Sequence, residues 1–414
     1  MSRITLKDCC NFQEGYVNPS QKIREFFGDD IKWLRASDLN DGEVFNTERR
    51  LTSKGFNSAG KSAFLFKENT LAISKSGTIG RVGILKDKMC GNRAVINIDV
   101  NKKIADLYYV FYTLKYKRPE ILSKAGGSIQ KNLYVSALET ISLNHSELSE
   151  QSSIAKILSD IDRKIELNKK INTELEAMAK LIYDYWFVQF DFPDASGNPY
   201  KSSGGKMVYN QELKREIPEE WDVEIINNII KVKDGTHDSP KPKDSGYPLI
   251  TSKHLKPEGL GFDSANLISA EDYESVNKRS KVETGDILFS MIGSIGEIYK
   301  VDEQQINFAI KNVGLYKSSE KPEYINYIYM FLKSYDMQRY MGNVTSGSIQ
   351  KFIGLGALRN MPILINDDLI KKFVLSTEHL FKKKTLIKLE NQKLTQLRDW
   401  LLPMLMNGQV TVNQ

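Results

Sequence analysis

Two long stretches of the chain repeat apolar residues at steps of three and four, which is the spacing of one face of an α-helix. The first covers residues 150–187, contains neither Pro nor Gly, and is rich in Lys, Glu and Leu. The second covers about residues 369–402. We therefore predict two long amphipathic helices, and we expect Pro403 and Gly408 to end the second.

Each predicted helix carries an asparagine where a heptad expects an apolar residue. These are Asn168 in the first and Asn391 in the second. A buried Asn in a coiled coil sets the helix register at some loss of stability, so we predict this role for both. A solvated polar residue at the edge of the seam is the alternative. The predicted apolar seam consists of Ile157, Ile161, Ile171, Leu175, Met178, Ile182 and Tyr185, then Leu380, Ile387, Leu394, Leu397 and Leu401.

Shorter patterns precede each long helix. Apolar and alternating runs are typical of strands, whereas longer periodic runs are typical of helices. The mixture predicts an α+β fold class. Residues 190–207 are rich in Pro, Gly, Ser and Asp, which favours a linker between the two halves. The predicted strands are 70–74, 80–85, 94–100, 286–291 and 296–301, and the predicted helices are 105–116 and 326–341.

The two halves of the chain are copies of one another. The string GSIQK occurs at 127–131 and again at 347–351, and SKSGTIG at 74–80 resembles SMIGSIG at 290–296. Collinear blocks at a nearly constant offset indicate a duplicated domain, and this period is too long for a solenoid repeat. A third block aligns Asn92, Ala94 and Val95 with Asn307, Ala309 and Ile310.

Composition and charge fit a globular protein in a reducing compartment. Hydrophobic residues make up 41% and charged residues 27%, and the formal net charge of +6 permits nucleic-acid binding without requiring it. Three cysteines without C-x-x-C spacing predict neither a disulfide framework nor a zinc site. We see no signal region, and no apolar run approaches the roughly 18 residues of a membrane span. We expect a cytoplasmic protein with no membrane contact.

Residues 55–62, GFNSAGKS, match the phosphate-loop pattern G-x-x-x-x-G-K-[ST]. Such a loop must leave a buried strand and open a long helix. The preceding stretch is polar, and the second copy lacks the motif. A P-loop NTPase is therefore an unfavoured alternative of another class. Lys61 stays a candidate for contact with a nucleic-acid phosphate, and a solvated surface lysine is the competing interpretation.

The duplicated turns carry side chains that suit contacts with DNA. Lysine neutralises phosphates, hydroxyl groups position them, and glutamine pairs with the edge of adenine. Because GSIQK is identical in both copies, we favour a shared role in phosphate contact or in the fold over base readout. A purely structural turn is the alternative. The predicted DNA-binding residues are Lys61, Ser76, Thr78, Arg81, Ser128, Gln130 and Lys131, then Thr236, His237, Lys253, Ser294, Ser348, Gln350 and Lys351.

Catalytic motifs do not accompany these turns. GNPY at 197–200 has one proline too few for an adenine methyltransferase motif, and no Gly-rich cofactor loop accompanies it. The four histidines lack metal-ligand spacing, and there is no G-x-S-x-G nucleophile. We therefore predict no catalytic residues and no metal site.

These features together resemble the specificity subunit of type I restriction–modification systems. The resemblance covers essentially the whole chain, including the linker sequence FDFPDASGNPYKSSGG. The most specific stretches are SKSGTIGRVGIL (74–85), GGSIQKNLYVSALETISL (126–143), the helical run and linker start of 150–194, IPEEWDVEII (217–226) and TSGSIQKFIGLGALRNMPI (345–363).

The resemblance implies two target recognition domains, each followed by a long helix, with the helices pairing as an antiparallel coiled coil. Each domain would read one half of a bipartite, asymmetric site in double-stranded DNA. A helix of about 36 residues would be about 54 Å long, or about one and a half turns of B-DNA. The expected boundaries are 1–149 for the first recognition domain, 150–187 for the central conserved helix, 188–216 for the linker, 217–368 for the second recognition domain and 369–408 for the C-terminal conserved helix.

The resemblance also implies partners. Two modification subunits would methylate adenine with S-adenosylmethionine, and restriction subunits would use ATP and Mg²⁺ to translocate and cut DNA. This chain would then be non-catalytic and bind no cofactor itself. A specificity subunit of a solitary DNA methylation system, or of another methylation-based defence system, is the alternative within the same class.

Overall fold

The chain divides into two compact units. The computed structural model describes residues 3–127, 131–144, 147–256, 259–347, 351–410 and 412. The first unit comprises Met1–Leu167 and Asn391–Gln414, and the second comprises Asn168–Glu390. Each unit thus contains one copy of the repeat together with a part of each long helix.

The first unit mixes short strands with short helices, in agreement with the predicted α+β class. Its strands are β1 (Arg3–Thr5), β2 (Cys10–Glu14), β3 (Phe27–Leu34), β4 (Glu43–Val44), β5 (Arg50–Leu51), β6 (Leu71–Ser74), β7 (Val82–Leu85), β8 (Cys90–Gly91), β9 (Val95–Val100) and β10 (Ser142–Asn144). Its helices are α1 (Leu6–Cys9), α2 (Ser53–Asn57), α3 (Leu107–Tyr116), α4 (Arg118–Ser123), α5 (Val135–Glu139) and the start of α6 (Leu148–Tyr183).

A five-stranded sheet in the order β2-β9-β6-β7-β4 forms the centre of the first unit. Its neighbours pair antiparallel, except for the parallel pair of β4 and β7. Leu71 and Ile73 point into a core shared with α3, whereas Ala72 packs on the opposite face with Leu34 and Val95. Because both faces are covered, these strands are apolar throughout instead of alternating.

The second unit repeats this mixture. A turn of π-helix, Asp184–Val188, follows α6. The strands are β11 (Met207–Asn210), β12 (Arg215–Pro218), β13 (Asp222–Ile225), β14 (Val232–Asp234), β15 (Tyr247–Ile250), β16 (Leu255–Lys256), β17 (Gly259–Leu260), β18 (Asn266–Ile268), β19 (Ile287–Ser290), β20 (Ile298–Lys300), β21 (Ala309–Ile310), β22 (Val313–Tyr316) and β23 (Pro362–Ile365). The helices are α7 (Ile226–Ile229), α8 (Ala270–Ser280), α9 (Ile325–Leu332), α10 (Tyr335–Val344), α11 (Leu355–Arg359) and α12 (Asp367–Met406).

Strand pairing confirms the duplication and corrects one block of its alignment. β6 pairs with β9 as β19 pairs with β22, which makes Val95 the counterpart of Val313. β8 and β21 run parallel to β3 and β15, which makes Gly91 the counterpart of Ile310. The loop between these counterparts is one residue longer in the first unit. The sequence alignment of Asn92, Ala94 and Val95 with Asn307, Ala309 and Ile310 is therefore wrong.

The long helices α6 and α12 pack against each other within each unit. In the first unit, Arg398 pairs with Asp162 at 2.9 Å, and the side-chain amide of Asn391 donates to the carbonyl of Ile165 at 3.3 Å. Residue numbers along α12 decrease as those of the facing residues on α6 increase, so the two helices run antiparallel. The predicted antiparallel coiled coil is confirmed.

The buried seam of these helices differs in part from the predicted one. Met178, Tyr185 and Leu397 were predicted at the seam, but they are 53%, 40% and 44% exposed. The seam of α6 instead passes through the buried Ile165 and Ala179. Steps of three and four allow more than one apolar stripe on a helix, and tertiary packing selects which stripe is covered.

Two predicted helix boundaries are also wrong. Pro403 does not end α12, which continues to Met406. Only one turn follows the proline, and the burial of Leu405 and Met406 in the core of the first unit holds that turn. The predicted helix 326–341 is two helices, α9 and α10, because the side chain of Ser334 caps the start of α10.

The segment 188–216, predicted as a linker, has a folded structure within the second unit. It contains β11 and the start of β12, which pair as an antiparallel hairpin. Phe190 is buried and meets Trp221 edge-to-face at 5.3 Å, and Phe192 stacks on Tyr200 at 4.7 Å. Its aromatic residues thus outweigh its Pro, Gly and Ser content.

Glu176 on α6 joins three elements of the second unit. Its carboxylate accepts hydrogen bonds from Lys384 on α12 and from Lys333 at the end of α9. Burial acts to raise the pKa of Glu176, but the two ammonium groups outweigh burial and lower it. Burial lowers the pKa of Lys384, and Glu176 offsets only part of that change. The folded unit therefore favours the ionised carboxylate.

We expect Glu176→Gln to lower the free energy of unfolding by about 1–3 kcal/mol, because two partly buried ammonium groups lose their carboxylate. Since folding depresses the pKa of Glu176, this contribution is complete above the unfolded carboxyl pKa of about 4.3 and is lost as pH falls through the folded pKa. Denaturant unfolding at about pH 7 and about pH 3 measures it. An equal difference between wild type and variant at both pH values would contradict the ion pair.

Candidate nucleic-acid interface

A tight turn with two left-handed glycines joins two strands of the central sheet in each unit. Between β6 and β7, Gly77 and Gly80 have φ of 73° and 83°. Between β19 and β20, Gly293 and Gly296 have φ of 77° and 91°. Glycine adopts this conformation without a steric penalty, which allows both turns to be tight. The predicted contact residues Ser76, Thr78, Arg81 and Ser294 lie on or directly beside these turns, with Ser76 half-buried and the others exposed.

The GSIQK loop closes beside this turn in the first unit. The backbones of Gly126 and Asn132 exchange two hydrogen bonds, of 3.0 and 2.7 Å, across the base of the loop. The next residue, Leu133, donates its backbone N–H to the carbonyl of Lys75 at 2.8 Å. The loop is therefore attached to the start of the tight turn.

The second unit repeats these contacts. Ser346 and Phe352 exchange hydrogen bonds of 3.0 and 2.9 Å, and Ile353 donates to the carbonyl of Met291 at 2.9 Å. In each copy, the glycine turn and the base of the GSIQK loop are thus neighbours in space. Lys131 and Lys351 are exposed at the ends of their loops. Four other predicted residues, Ser128, Gln130, Ser348 and Gln350, lie outside the described residues.

Strands β2 and β14 each end in an acidic residue, followed by a glycine that has no room for a side chain. A Cβ on Gly15 would lie 2.2 Å from the carbonyl oxygen of Asn92, and one on Gly235 would lie 2.4 Å from that of Ile310. The chain after each strand is therefore pressed against the start of the loop that follows β8 or β21.

In the first unit, these segments line an open surface cleft of about 480 Å³. Side-chain amides, cations and an exposed aromatic ring line it. Amides and guanidinium groups recognise base edges, and aromatic rings stack on exposed bases. This composition suits a nucleic acid better than an apolar ligand. The polar and aromatic lining residues are Asn18, Lys75, Ser76, Asn92, Arg93, Asn132 and Tyr134.

Glu14, at the end of β2, holds two of the neighbouring side chains. Lys75 donates to Oε1 of Glu14 at 2.8 Å, and the hydroxyl of Tyr16 donates to Oε2 at 2.9 Å. The hydrogen bond from Lys75 lowers the pKa of Glu14 against the opposing effect of burial. The carboxylate in turn raises the pKa of Tyr16.

Asp234, at the end of β14, gathers neighbouring side chains in the second unit as Glu14 does in the first. We call Asp234, Arg279, His237 and Asn312 the Asp234 group. Its side chain is 3% exposed, accepts a hydrogen bond from Arg279 and lies 3.0 Å from Nε2 of His237. Nδ1 of His237 lies 2.7 Å from the side-chain oxygen of Asn312. The predicted residue Thr236 pairs its backbone with Lys311 beside this group.

Two further predicted residues lie on other loops. Lys253 is exposed in a short turn whose Ser252 hydroxyl donates to the carbonyl of Asn312 at 3.2 Å, so this turn adjoins the Asp234 group. Lys61 is exposed in a 3₁₀ turn and is not among the residues that line the first-unit cleft.

GFNSAGKS does not form a phosphate loop. Gly55 lies inside α2, a helix of five residues, and the strand before it, β5, has two residues. No long helix opens at Lys61, which stands in a single 3₁₀ turn. The buried strand and the helix N-terminus that a nucleotide would need are missing from this described stretch. The NTPase alternative is therefore not favoured.

The described part of the chain has neither a membrane-spanning helix nor a metal-binding cluster. Among the described residues, no helix is long and apolar enough to cross a bilayer. The same part of the chain has no group of three His, Cys, Asp or Glu side chains placed to bind a metal ion. Cys9, Cys10 and Cys90 are buried thiols.

Comparison with known proteins shows a likeness to one family. A family model described as "Type I restriction modification DNA specificity domain" matches residues 1–177. The type I restriction enzyme MjaIX specificity subunit of Methanocaldococcus jannaschii is 28% identical over 417 residues, covering 97% of this chain and 91% of that protein. The chain is thus similar to a type I restriction–modification specificity subunit along almost its whole length.

Other specificity subunits are similar along most of their length. The EcoBI specificity subunit of Escherichia coli is 24% identical, covering 86% of this chain and 74% of that protein. The crystal structure of a type I restriction–modification S subunit from M. genitalium has a TM-score of 0.53 at 16% identity, covering 98% of this chain and 96% of that one. That likeness supports the fold.

Sequence reasoning missed several polar residues of these two surfaces. Glu14 and Arg93 stood outside the quoted motifs, and so did Arg279, which lies in a helix. One signal was available, because an acid–glycine pair occurs at 14–15 and again at 234–235. Aligning the repeat over its whole length would have revealed it.

We expect Gly15→Ala and Gly235→Ala each to lower the free energy of unfolding by about 1–3 kcal/mol, because the added methyl group overlaps a backbone carbonyl. Gly356→Ala is the matched control, since its Cβ would enter open space within a helix. That control should be neutral or slightly stabilising. Denaturant unfolding compares the three, and equal losses in all of them would argue against crowding.

Proposed function

We propose that this specificity subunit recognises a bipartite, asymmetric DNA site, with one half read by each unit. The observation that carries the proposal is one loop arrangement that occurs twice with different side chains around it. The glycine turn, the GSIQK loop and the crowded glycine recur in both units, whereas many of the surrounding polar side chains do not. Shared backbone geometry would dock both units on DNA, and the differing side chains would select different bases.

The shared side chains support a role in phosphate contact. Lys131 and Lys351 end the identical loops and are exposed. A lysine that neutralises a phosphate contributes affinity but carries no sequence information. We assign the same role to the hydroxyls of Thr78 and Ser294 on the two turns. These residues should affect binding to all sequences alike.

The differing side chains support two distinct half-sites. Where the first unit has Lys75 and Asn132, the second has Met291 and Phe352. The polar lining of the first cleft thus gives way to apolar side chains, one of which, Phe352, is 45% exposed. Amide and cationic groups select base edges that apolar groups do not, so the two units would prefer different bases.

The domain and partner arrangement follows from the same proposal. Residues 1–149 and 217–368 are the two target recognition domains, joined by the conserved helices. The chain itself is non-catalytic and acts in the cytoplasm. Its modification and restriction subunits bind S-adenosylmethionine, ATP and Mg²⁺. The named relatives are subunits of restriction enzymes, so a solitary methylation system is not favoured.

Exposed apolar residues on the long helices support docking of the modification subunits. In the second unit, Met178 and Leu181 of α6 are 53% and 67% exposed. In the first unit, Leu397 and Trp400 of α12 are 44% and 57% exposed. Each pair has i, i+3 spacing and so shares one helix face. Large apolar side chains on an exposed helix face are typical of a contact surface.

The repeat relates these pairs to one another. Leu397 and Trp400 follow Met178 and Leu181 by the same 219 residues. Leu167 in the first unit and Leu386 in the second, which are 53% and 62% exposed, are related by that offset too. A surface that occurs twice suits two copies of one partner. We therefore propose that two modification subunits bind, one on each pair.

A methylation map tests the recognition proposal. The chain is co-expressed with the modification subunit of its own system, and methylated adenines in the host DNA are mapped. We expect one asymmetric motif of two halves with an unread spacer. Exchanging residues 1–149 for those of a relative should change one half alone. A single continuous palindromic motif would contradict two-unit recognition.

Substitutions on the helices test the docking proposal. Leu181→Asp and Trp400→Asp should each remove one modification subunit, because a buried carboxylate without a partner is costly. The mass of the purified complex, from light scattering, should fall from two modification subunits to one for each single variant and to none for the double variant. Thr173→Asp, an exposed position off this helix face, should keep both. Full assembly of all variants would exclude this surface.

A further inference from the structure

An acidic residue occupies the same repeat position in both units, directly before the crowded glycine. Glu14 faces Ile96 in the ladder of β2 and β9, and Asp234 faces Gly314 in the ladder of β14 and β22. These partners are themselves counterparts in the two central sheets. The two acids are therefore equivalent in structure as well as in sequence order.

Each acid holds one cation and one aromatic ring. In the second unit, Asp234 pairs with Arg279 and His237, whose side chains are 57% and 63% exposed. These two residues come from different elements, since Arg279 lies on α8 and His237 follows β14. A tertiary contact thus gathers them at one point of the surface.

The first unit has the same arrangement with other residues. Glu14 holds Lys75, from the tight turn, and Tyr16, which follows β2 and is 43% exposed. Lys75 also lines the first-unit cleft next to Asn132. The acid is common to both units, whereas the side chains that it holds are a lysine and a tyrosine here and an arginine and a histidine in the second unit.

We propose that Glu14 and Asp234 are positioning residues that set the DNA sequence preference of their own unit. Each acid fixes a cation and an aromatic ring on the surface of its unit that faces DNA, which we call the recognition face. These side chains contact the bases. The inference rests on the proposed function, and it adds the residues that distinguish one half-site from the other.

Burial explains why the acids hold their partners firmly. The side chain of Asp234 is 3% exposed, and that of Glu14 is 25% exposed. A buried carboxylate needs charged or hydrogen-bonding partners, because removal from water is unfavourable. The partners therefore adopt fixed orientations in the free protein, and less conformational entropy is lost when DNA binds.

The held cations keep donors for DNA. One of the five N–H groups of Arg279 donates to Asp234, and one of the three donors of Lys75 goes to Glu14. The remaining guanidinium donors can bind a guanine edge as a planar fork, whereas the ammonium group acts as a point charge. The two units would therefore favour different bases even with the same acid in place.

Amide substitutions of the two acids test the proposal in the complex of the full chain with its modification subunit. Adenine methylation in host DNA is mapped for Glu14→Gln and Asp234→Asn, and base preference is scored at each position of both halves. Glu14→Gln should reduce discrimination about tenfold in the half read by the first unit and leave the other half unchanged. Asp234→Asn should do the converse. The exchange of residues 1–149 identifies which half belongs to which unit.

Non-additivity separates positioning from a general loss of structure. Arg279→Ala should reproduce the change caused by Asp234→Asn, and the double variant should lose little more, because both act through one contact. Asp162→Asn and Glu176→Gln are the matched controls, since they remove helix ion pairs of the first and second units. Both controls should keep the wild-type motif.

The outcomes separate this inference from the function on which it rests. If the wild-type complex shows a two-part motif that both amide variants keep, positioning by the acids is refuted and the proposed function stands. If the wild-type complex has no sequence preference, the proposed function fails and this inference fails with it. Where an amide variant does not assemble, Tyr16→Phe and Arg279→Lys decide, because they keep the ring or the charge. An unchanged motif in both of these would refute the inference.

Discussion

The close approach of backbone to backbone at Gly15 and Gly235 is the constraint on which both recognition faces depend. Only a hydrogen atom fits where the chain leaving β2 or β14 meets the chain leaving β8 or β21. In the first unit, that contact holds Glu14 against the tight turn, where its carboxylate accepts a hydrogen bond from Lys75. In the second unit, it holds Asp234 beside Arg279 and His237. The turn in turn holds the GSIQK loop. A short-range steric restriction thus assembles segments that are far apart in the chain.

Duplication separates backbone geometry from side-chain chemistry in this protein. The glycines at the turns have the same left-handed conformation in both units, and the GSIQK loops close by the same hydrogen bonds. The side chains around them differ, from Lys75 and Asn132 to Met291 and Phe352. A constant frame with variable side chains is what recognition of two unlike half-sites requires.

The long helices combine an internal seam with an external surface. Ion pairs and amide contacts join α6 to α12 inside each unit, and Glu176 extends them to α9. Asn168 and Asn391 both bridge the helices, while their role in register stays a prediction. The apolar residues that face outward, such as Leu181 and Trp400, recur at one offset, so the repeat includes the helices as well as the globular domains.

Local pattern was enough to predict the α+β class, both long helices, the duplication and the glycine turns, because periodicity and turn chemistry depend on neighbouring residues. Tertiary structure decided which apolar stripe of α6 is buried, because steps of three and four are compatible with more than one stripe on the same helix. It also showed that GFNSAGKS lacks the buried strand and the long helix that a phosphate loop needs. Glu14 meets Lys75, and Asp234 meets Arg279, across separations of 61 and 45 residues. Contacts at such separations follow from the path of the folded chain, which no local pattern encodes.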